Sequence, residues 1–193
     1  MFTLVQLAGY DWGEFRPIRQ VMSDSLIDMP KSGMATAIDL GEMRDIHPRK
    51  KDELGRRIQL ITSALEYKEN IEYQGPKLKS LGHERNGNEV KFNLNFEIFG
   101  GRSNGLILQE STFCSTCCKS TKTLFMVLAS NGKIYHPNTL SFENNNSIHF
   151  SIEIPSNEKV VEFRYAWEKY SQCVVASKDF KLPITPFIKK FAK

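Results

Sequence analysis

The sequence predicts an α/β segment followed by an all-β, sandwich-like module. In residues 1–67, short apolar runs alternate with helical patterns, as they do in proteins with a parallel sheet. After Gly75-Pro76 the chain consists of short segments rich in Phe, Val and Ile, separated by turns rich in Asn, Gly and Ser. We place the boundary near Tyr73 to Pro76, which divides the chain into domains of residues 1–74 and 75–193.

The first half of the α/β segment predicts two strands and a helix. Phe2–Ala8 is a compact apolar run typical of a buried strand, and Met34–Leu40 is a second one. Between them, Trp12–Met22 predicts a helix in which Pro17 must fall in the first turn. Gly41–Pro48 is expected to be a loop. The apolar residues at helical spacing in the first helix are Phe15, Ile18 and Met22.

A second helix is predicted over Lys50–Lys68, directly after a proline that suits a helix start. Its apolar residues recur at intervals of four, three and four and predict one buried face: Leu54, Ile58, Ile61 and Leu65. The order strand, helix, strand, loop, helix indicates a parallel sheet.

The remaining chain predicts an all-β, sandwich-like module. The candidate strands lie in LKSLGHERNGNEVKFNLNFEIFG, ILQESTF, TLFMVLAS, SIHFSIEIP and VVEFRYAW. Turns such as RNGN, SNGK and ENNNS separate them.

Composition and charge are those of an ordinary globular protein. The 193 residues are 40% hydrophobic and 25% charged, with a net charge of +4. Lys and Arg are spread along the chain rather than gathered in a dense stripe, so nucleic acid is not an expected partner. The apolar runs are too short to span a membrane.

The N-terminal stretch MFTLVQLAGYDWGEF lacks a basic leader and a cleavage site, so we expect no signal peptide within it. Its pattern instead predicts a core strand that begins at the first residues of the chain. We therefore expect the natural protein to begin upstream of Met1.

The four cysteines are Cys114, Cys117, Cys118 and Cys173. Four thiols could bind zinc, but Cys173 has no nearby Cys or His to complete a second ligand pair. Disulfides that tie the FCSTCCKS loop to a later segment would require an oxidising compartment. Free, buried thiols are the third interpretation.

Asn145-Asn146-Ser147 matches the acceptor sequence for N-linked glycosylation and lies in a polar turn. This motif favours a secretory or lysosomal setting.

His47 is the best candidate for a catalytic residue. It lies in a loop that follows a strand and precedes a helix, where ligands bind in open α/β sheets. A histidine there can act as the general base for a serine nucleophile, oriented by a carboxylate such as Asp39, Glu42 or Asp45. On pattern alone an exposed loop histidine without a role is the more common case, and Asp45 can instead cap the turn or the helix.

The other histidines and the second tryptophan are expected to be structural. His83, His136 and His149 lie beside turns or in alternating strands and lack the spacing of metal ligands. Trp167 could stack on a sugar, but a core position in a sandwich is the favoured interpretation.

The sequence contains no GxSxG, Gly-Asp-Ser or GxGxxG motif. Ser23 and Ser25 flank Asp24, but they follow a helix rather than a strand. Neither serine is therefore expected to be a nucleophile.

Several strings resemble one known family along nearly the whole chain. MATAIDLGEMRDIHPRKKDELGRRI resembles the last conserved block of the sialate O-acetylesterases, a branch of the SGNH serine hydrolases. FTLVQLAGY resembles the preceding strand, EYQGP the exit into the family's β domain, and FCSTCCK a cysteine cluster of animal-type members. FRYAWEKYSQCVVASKDFKLPITPF resembles the family's terminal signature.

The resemblance implies that His47, in the IHP motif, is the catalytic base. Many SGNH enzymes place the acidic partner three residues before the histidine, where this chain has Arg44. Asp45 is therefore ranked first as the partner, and Glu42 remains the alternative. The nucleophilic serine and the oxyanion-hole residues of the family belong to blocks that this sequence does not contain.

By resemblance, the chain is the C-terminal end of an SGNH-like parallel-sheet hydrolase domain followed by a β-sandwich domain. The whole enzyme would remove O-acetyl groups from sialic acid or another acetylated carbohydrate, without metal or organic cofactor, in a secreted or lysosomal setting. Alone, the chain is expected to be inactive. The alternative is a non-catalytic homologue that binds glycans or a protein partner.

Overall fold

A computed structural model describes residues 1–26, 28–99, 104–111, 118, 124–137, 139–143 and 145–191. These residues contain two helices and twelve strands. The helices are α1 Arg16–Asp24 and α2 Lys51–Leu65. The strands are β1 Phe2–Gln6, β2 Ser32–Thr36, β3 Lys77–Asn86, β4 Glu89–Glu97, β5 Leu106–Glu110, β6 Phe125–Ala129, β7 Ile134–Tyr135, β8 Ser141–Glu143, β9 Ser147–Glu153, β10 Val160–Tyr165, β11 Cys173–Ser177 and β12 Phe187–Lys190.

The first two strands pair in parallel, as the sequence predicts for this segment. Phe2 lies opposite Ser32 and Gln6 opposite Thr36. β2 is shorter than predicted, because after Thr36 the backbone turns: the Leu40 N–H donates to the Ala37 carbonyl. After β2, Ala37, Ile38 and Leu40 remain buried although they are no longer in a strand.

Helix α1 contains Pro17 in its first turn, as predicted, but its buried residue is not one of the predicted apolar residues. Ile18 is 47% exposed, whereas Arg19 is fully buried. The Arg19 guanidinium donates to four carbonyls from two distant segments: Leu7, Ala8, Glu168 and Lys169. Burial lowers the pKa of Arg19 to about 10, so the side chain remains charged at neutral pH.

Helix α2 confirms the predicted helix but is rotated relative to the predicted face. Of the four predicted residues only Ile61 is fully buried, and Arg57 and Leu60 complete the buried side. Ile61 packs against β2 where Gly33 leaves room, since a Cβ at Gly33 would collide with its side chain.

The β part confirms the predicted all-β architecture, and its strands pair antiparallel. One four-stranded sheet has the order β3-β4-β9-β8, and a second has the order β12-β10-β6-β7. A further antiparallel pair is formed by β5 and β11.

The core of the β part is formed by aromatic side chains between the two four-stranded sheets. Phe92 and Phe150 stack within the first sheet with ring centroids 5.2 Å apart. Phe150 contacts Phe125 of the second sheet at 5.3 Å, and Phe92 contacts Phe163 at 5.8 Å. Two sheets that interdigitate side chains in this way are typical of a β-sandwich.

Hydrogen bonds join the β part to the N-terminal segment at several places. The Tyr10 N–H donates to the Lys169 carbonyl, and Arg56 of α2 donates to the Phe180 carbonyl. Where the chain passes from one part to the other, Gly75 lies so close to Pro183 that a Cβ there would collide with the Pro183 carbonyl. In the part of the chain that the structure describes, no helix is long and apolar enough to cross a membrane.

Candidate active-site loop

The candidate site is the loop from Gly41 to Arg49, within the connection between β2 and α2. Its first residue, Gly41, packs against the backbone of Gly9, so closely that any side chain at position 41 would collide with it. This contact fixes the start of the loop beside the segment that follows β1.

Arg49 holds the two carboxylates of the loop together. Its backbone N–H donates to Glu42 Oε1 at 3.0 Å, and its Nη1 donates to Glu42 Oε2 at 2.7 Å. Its Nη2 lies 3.3 Å from Asp45 Oδ2. The loop is therefore closed by charge-assisted hydrogen bonds rather than by apolar packing.

His47 lies at the tip of this loop, next to Asp45. Its backbone N–H donates to Asp45 Oδ1 at 2.9 Å, and its Nδ1 lies 3.6 Å from the same oxygen. The His47 side chain is 88% exposed. The hydrogen bond from the His47 backbone, helped by the nearby Arg49 charge, holds the pKa of Asp45 below its usual range.

The structure thus brings His47 and Asp45 together. Asp45 shapes the turn through the His47 backbone and also lies beside the imidazole. Both interpretations of Asp45 that the sequence left open are compatible with this geometry. Glu42 is more buried than Asp45, and both of its oxygens accept hydrogen bonds from Arg49.

Asp39, the third acidic neighbour, is engaged elsewhere. Its carboxylate accepts two hydrogen bonds of 2.7 Å from Arg57 and one of 2.8 Å from Gln109 of β5. Although burial disfavours the charged guanidinium, the hydrogen bonds to Asp39 and to Glu53 raise the pKa of Arg57. This buried pair connects the end of β2 with helix α2 and with the β part.

Sequence reasoning missed the arginines that organise the site. Arg49 follows Asp45 by four residues, a spacing that could have signalled the pair. Arg57 and Gln109 are distant from Asp39 in sequence, and no local pattern points to their contact.

The loop and the β part together line a cleft of about 530 Å³. Met43, Arg44 and Asp45 form one side, and Tyr170 and Gln172 form the other. His47 lies on the same loop but does not line this cleft. A substrate held there would contact both parts of the chain.

Cys118 and Cys173 form a disulfide, which confirms the disulfide interpretation for this pair. Cys173 begins β11, directly after Gln172 of the cleft. Cys114 and Cys117 lie outside the described residues. Among the described residues, no group of three or more His, Cys, Asp and Glu side chains is arranged to hold a metal ion.

The other aromatic and histidine candidates take structural positions. Trp167 is 8% exposed and belongs to the buried residues of the β part. The His136 Nδ1 lies 3.2 Å from the Phe125 carbonyl oxygen. The His83 ring packs on Phe92.

His149 lies on β9 and has its Nε2 3.5 Å from a carboxylate oxygen of Glu143. Ser23, considered as a possible nucleophile, donates instead to the Arg19 carbonyl of its own helix.

The fold and the loop define a β-sandwich module joined to a short parallel α/β segment that carries a histidine at its exposed end. The family model "Sialate O-acetylesterase C-terminal domain" matches residues 85–191, more than half of the chain. The chain belongs to this family. No curated protein matches the chain.

The solved structures contain a similar protein, XAC1771, described as a novel carbohydrate acetylesterase from Xanthomonas citri. The similarity has a TM-score of 0.74 at 22% sequence identity and covers 99% of this chain. This chain spans 41% of the length of that protein. At this identity, the comparison shows a shared fold.

Proposed function

We propose that this chain is the C-terminal part of a carbohydrate O-acetylesterase that acts on O-acetylated sialic acids. The observation that carries the proposal is the family match together with the loop that holds His47 Nδ1 3.6 Å from Asp45 Oδ1. A histidine next to a carboxylate, in the connection that follows a parallel strand, is an arrangement that suits acyl transfer through serine.

In this proposal, residues 1–74 are the end of an SGNH-like hydrolase domain and residues 75–193 are its β-sandwich domain. The parallel pair β1–β2 supports it, since among the described residues these two strands form a sheet by themselves, whereas parallel strands usually lie within larger, covered sheets. Apolar side chains of this segment are exposed in a way that further structure would cover: Phe2, Val5, Leu7, Trp12, Ile18 and Val21.

The nucleophile is proposed to lie in a segment outside these 193 residues. A serine Oγ would attack the acetyl carbonyl carbon while His47 takes the Oγ proton. The bond from the carbonyl carbon to the sugar oxygen then breaks, and that oxygen receives the proton from His47. Water repeats the attack on the acetyl-serine, with His47 again moving the proton, and acetate is released.

Asp45 would orient the imidazole and stabilise its charged form through Nδ1. The distance of 3.6 Å is longer than a hydrogen bond, but such bonds often tighten only when substrate is bound. The mechanism uses no metal and no organic cofactor. The secreted or lysosomal setting that we propose is supported by the Cys118–Cys173 disulfide.

The test is to replace His47 in the polypeptide that contains both these residues and the serine. His47→Ala should lower the rate of acetate release from O-acetylated N-acetylneuraminic acid roughly 10²- to 10⁴-fold, as loss of a general base does. The fold should be unaffected, because the side chain is 88% exposed. His149→Ala is the matched control and should retain activity.

Full activity in His47→Ala would refute the proposed role of this residue. Asp45→Asn and Glu42→Gln then separate the two candidates for the acidic partner. We expect the larger loss of kcat from Asp45→Asn, because Asp45 Oδ1 lies 3.6 Å from His47 Nδ1, whereas both Glu42 oxygens accept hydrogen bonds from Arg49.

A non-catalytic module that binds glycans or a protein partner is the second candidate. The observation in its favour is that the 193 residues contain no nucleophile motif. The burial of Trp167 argues against that residue as a sugar platform. Saturable binding of sialylated glycans to the isolated chain, unchanged in Trp167→Phe, would favour this candidate.

A further inference from the structure

We propose that Asn145 carries an N-linked glycan and that the glycan is added before the sheet β3-β4-β9-β8 closes. Asn145-Asn146-Ser147 is the only Asn-X-Ser/Thr sequence in the 193 residues, so the chain offers one site and no competing one. The proposal rests on residues that have no part in the proposed esterase mechanism.

Asn145 is well placed to carry a large group in the folded protein. It lies in the turn between β8 and β9, where its side chain is exposed. Its φ of +64° is a left-handed conformation that asparagine tolerates better than most residues. A glycan on its Nδ2 would extend into solvent without displacing a core residue.

Ser147, the other half of the motif, is not accessible in the folded protein. It is 8% exposed and begins β9, where it pairs with Asn95 of β4 on one side and with Glu143 of β8 on the other. Its Oγ donates to Asn95 Oδ1 at 2.7 Å. An enzyme that must bind this hydroxyl therefore has to act before β9 pairs with its neighbours.

The Cys118–Cys173 disulfide supports the proposal independently. Disulfides form in the oxidising lumen of the secretory pathway, and N-linked glycans are attached in the same compartment of eukaryotic cells. Both features therefore indicate that the chain passes through the secretory pathway.

The chemical step requires a lipid-linked oligosaccharide diphosphate as the donor. The Asn145 Nδ2 loses one proton and forms a bond with the anomeric carbon of the first sugar. The bond between that carbon and the diphosphate oxygen breaks, and the lipid diphosphate leaves with the bonding electrons. No oxidant or reductant is needed.

The first experiment expresses the full chain behind a cleavable signal peptide in cultured human cells. Denatured protein should migrate faster after treatment with peptide N-glycosidase F, and the glycan should map to the tryptic peptide of residues 134–159. Asn145→Gln and Ser147→Ala should abolish the shift. Ser147→Thr and Asn146→Gln preserve the acceptor sequence and should retain it.

Because the samples are denatured, a variant that folds poorly still gives an answer. An unshifted wild-type chain that has entered the secretory pathway, shown by its cleaved signal peptide, would overturn the proposal. A shift that persists in Asn145→Gln would do so too.

The second experiment tests the order of events. Chain produced without glycan is offered to a purified oligosaccharyltransferase and its lipid-linked donor, either native or after reduction and unfolding. We expect modification of the unfolded chain and little or none of the native chain. Equal rates for the two samples would contradict the inference from the burial of Ser147.

Discussion

Single residues in the loop between β2 and α2 show why the sequence suggested that His47 and Asp45 lie together but did not predict what surrounds them. His47 and Asp45 are two positions apart in the chain, so their proximity follows from the sequence alone. The clamp by Arg49 depends on side-chain directions that only the folded loop defines. Glu42 and Asp45 are both candidates on sequence, and Arg49 bonds both of them. Asp45 is the one with an oxygen 3.6 Å from His47 Nδ1.

Glu72 is a buried carboxylate in the connection between α2 and β3, and it predicts a pH dependence of stability. It is 2% exposed, and its Oε1 has no hydrogen-bond partner among the described residues. Burial raises the pKa of Glu72 above its ordinary value of 4.5, against the effect of a hydrogen bond with Ser177. The folded state therefore holds this proton more tightly than the unfolded state does.

The contribution of Glu72 to stability is present in full below its ordinary pKa and is lost as the pH rises through the raised pKa. Glu72→Gln should thus increase the free energy of unfolding at pH 7 relative to wild type. The difference should vanish near pH 4, in urea titrations at both pH values. Lower stability of Glu72→Gln than of wild type at pH 7 would contradict this prediction. Substitution of the exposed Glu69 by Gln serves as the control.

At the scale of secondary-structure elements, the order and type of the elements could be predicted better than their buried faces. The parallel pair, both helices and the strands β3, β4, β5, β6, β9 and β10 follow from the apolar patterns, whereas β7, β8, β11 and β12 were not predicted. Periodicity also suggested that Ile18 faces the core, but α1 buries Arg19 instead. A guanidinium with five donors can be buried where carbonyls converge, and hydropathy carries no signal for this.

The packing of α1 against the rest of the protein should depend on Arg19. Arg19→Met would leave carbonyls of two segments without their donors, and we expect a loss of about 3 kcal/mol or more in the free energy of unfolding. Arg16→Met is the matched control on the same helix, since Arg16 forms a surface ion pair with Glu14, and its effect should be small. Equal stability of the two variants in urea unfolding would refute the role of Arg19.

The disulfide between Cys118 and Cys173 ties β11 to a segment that lies 55 residues earlier in the chain. Its existence could be anticipated from the cysteine count, but four cysteines allow three pairings, so the partners could not. The bond spans 55 residues, and closing a loop of that length stabilises a protein by roughly 2–4 kcal/mol.

Replacing both Cys118 and Cys173 by Ser should therefore lower the free energy of unfolding by that amount. The measurement is urea unfolding at equal pH, compared with the wild-type chain. Unchanged stability in the double variant would show that this link contributes little.

For the whole molecule, the contacts between the N-terminal segment and the β part matter most. Three hydrogen bonds cross this junction: Arg19 donates to the Lys169 carbonyl, Gln109 donates to Asp39, and Arg56 donates to the Phe180 carbonyl. The cleft beside the His47 loop has walls from both parts. We therefore expect the β part to help hold the loop and its substrate, which no pattern within either part could predict.

The central claim is that these residues supply the base, but not the nucleophile, of a carbohydrate acetylesterase. The most direct measurement separates native protein from its source by size, detects this chain with an antibody to residues 181–193, and assays each fraction for acetate release from O-acetylated N-acetylneuraminic acid. We expect activity in an antibody-reactive polypeptide larger than 22.1 kDa, because the nucleophile is proposed to lie outside residues 1–193. Antibody-reactive protein found only at 22.1 kDa would contradict the proposal. Activity of that protein would place the nucleophile within residues 1–193. Lack of activity would favour the binding module.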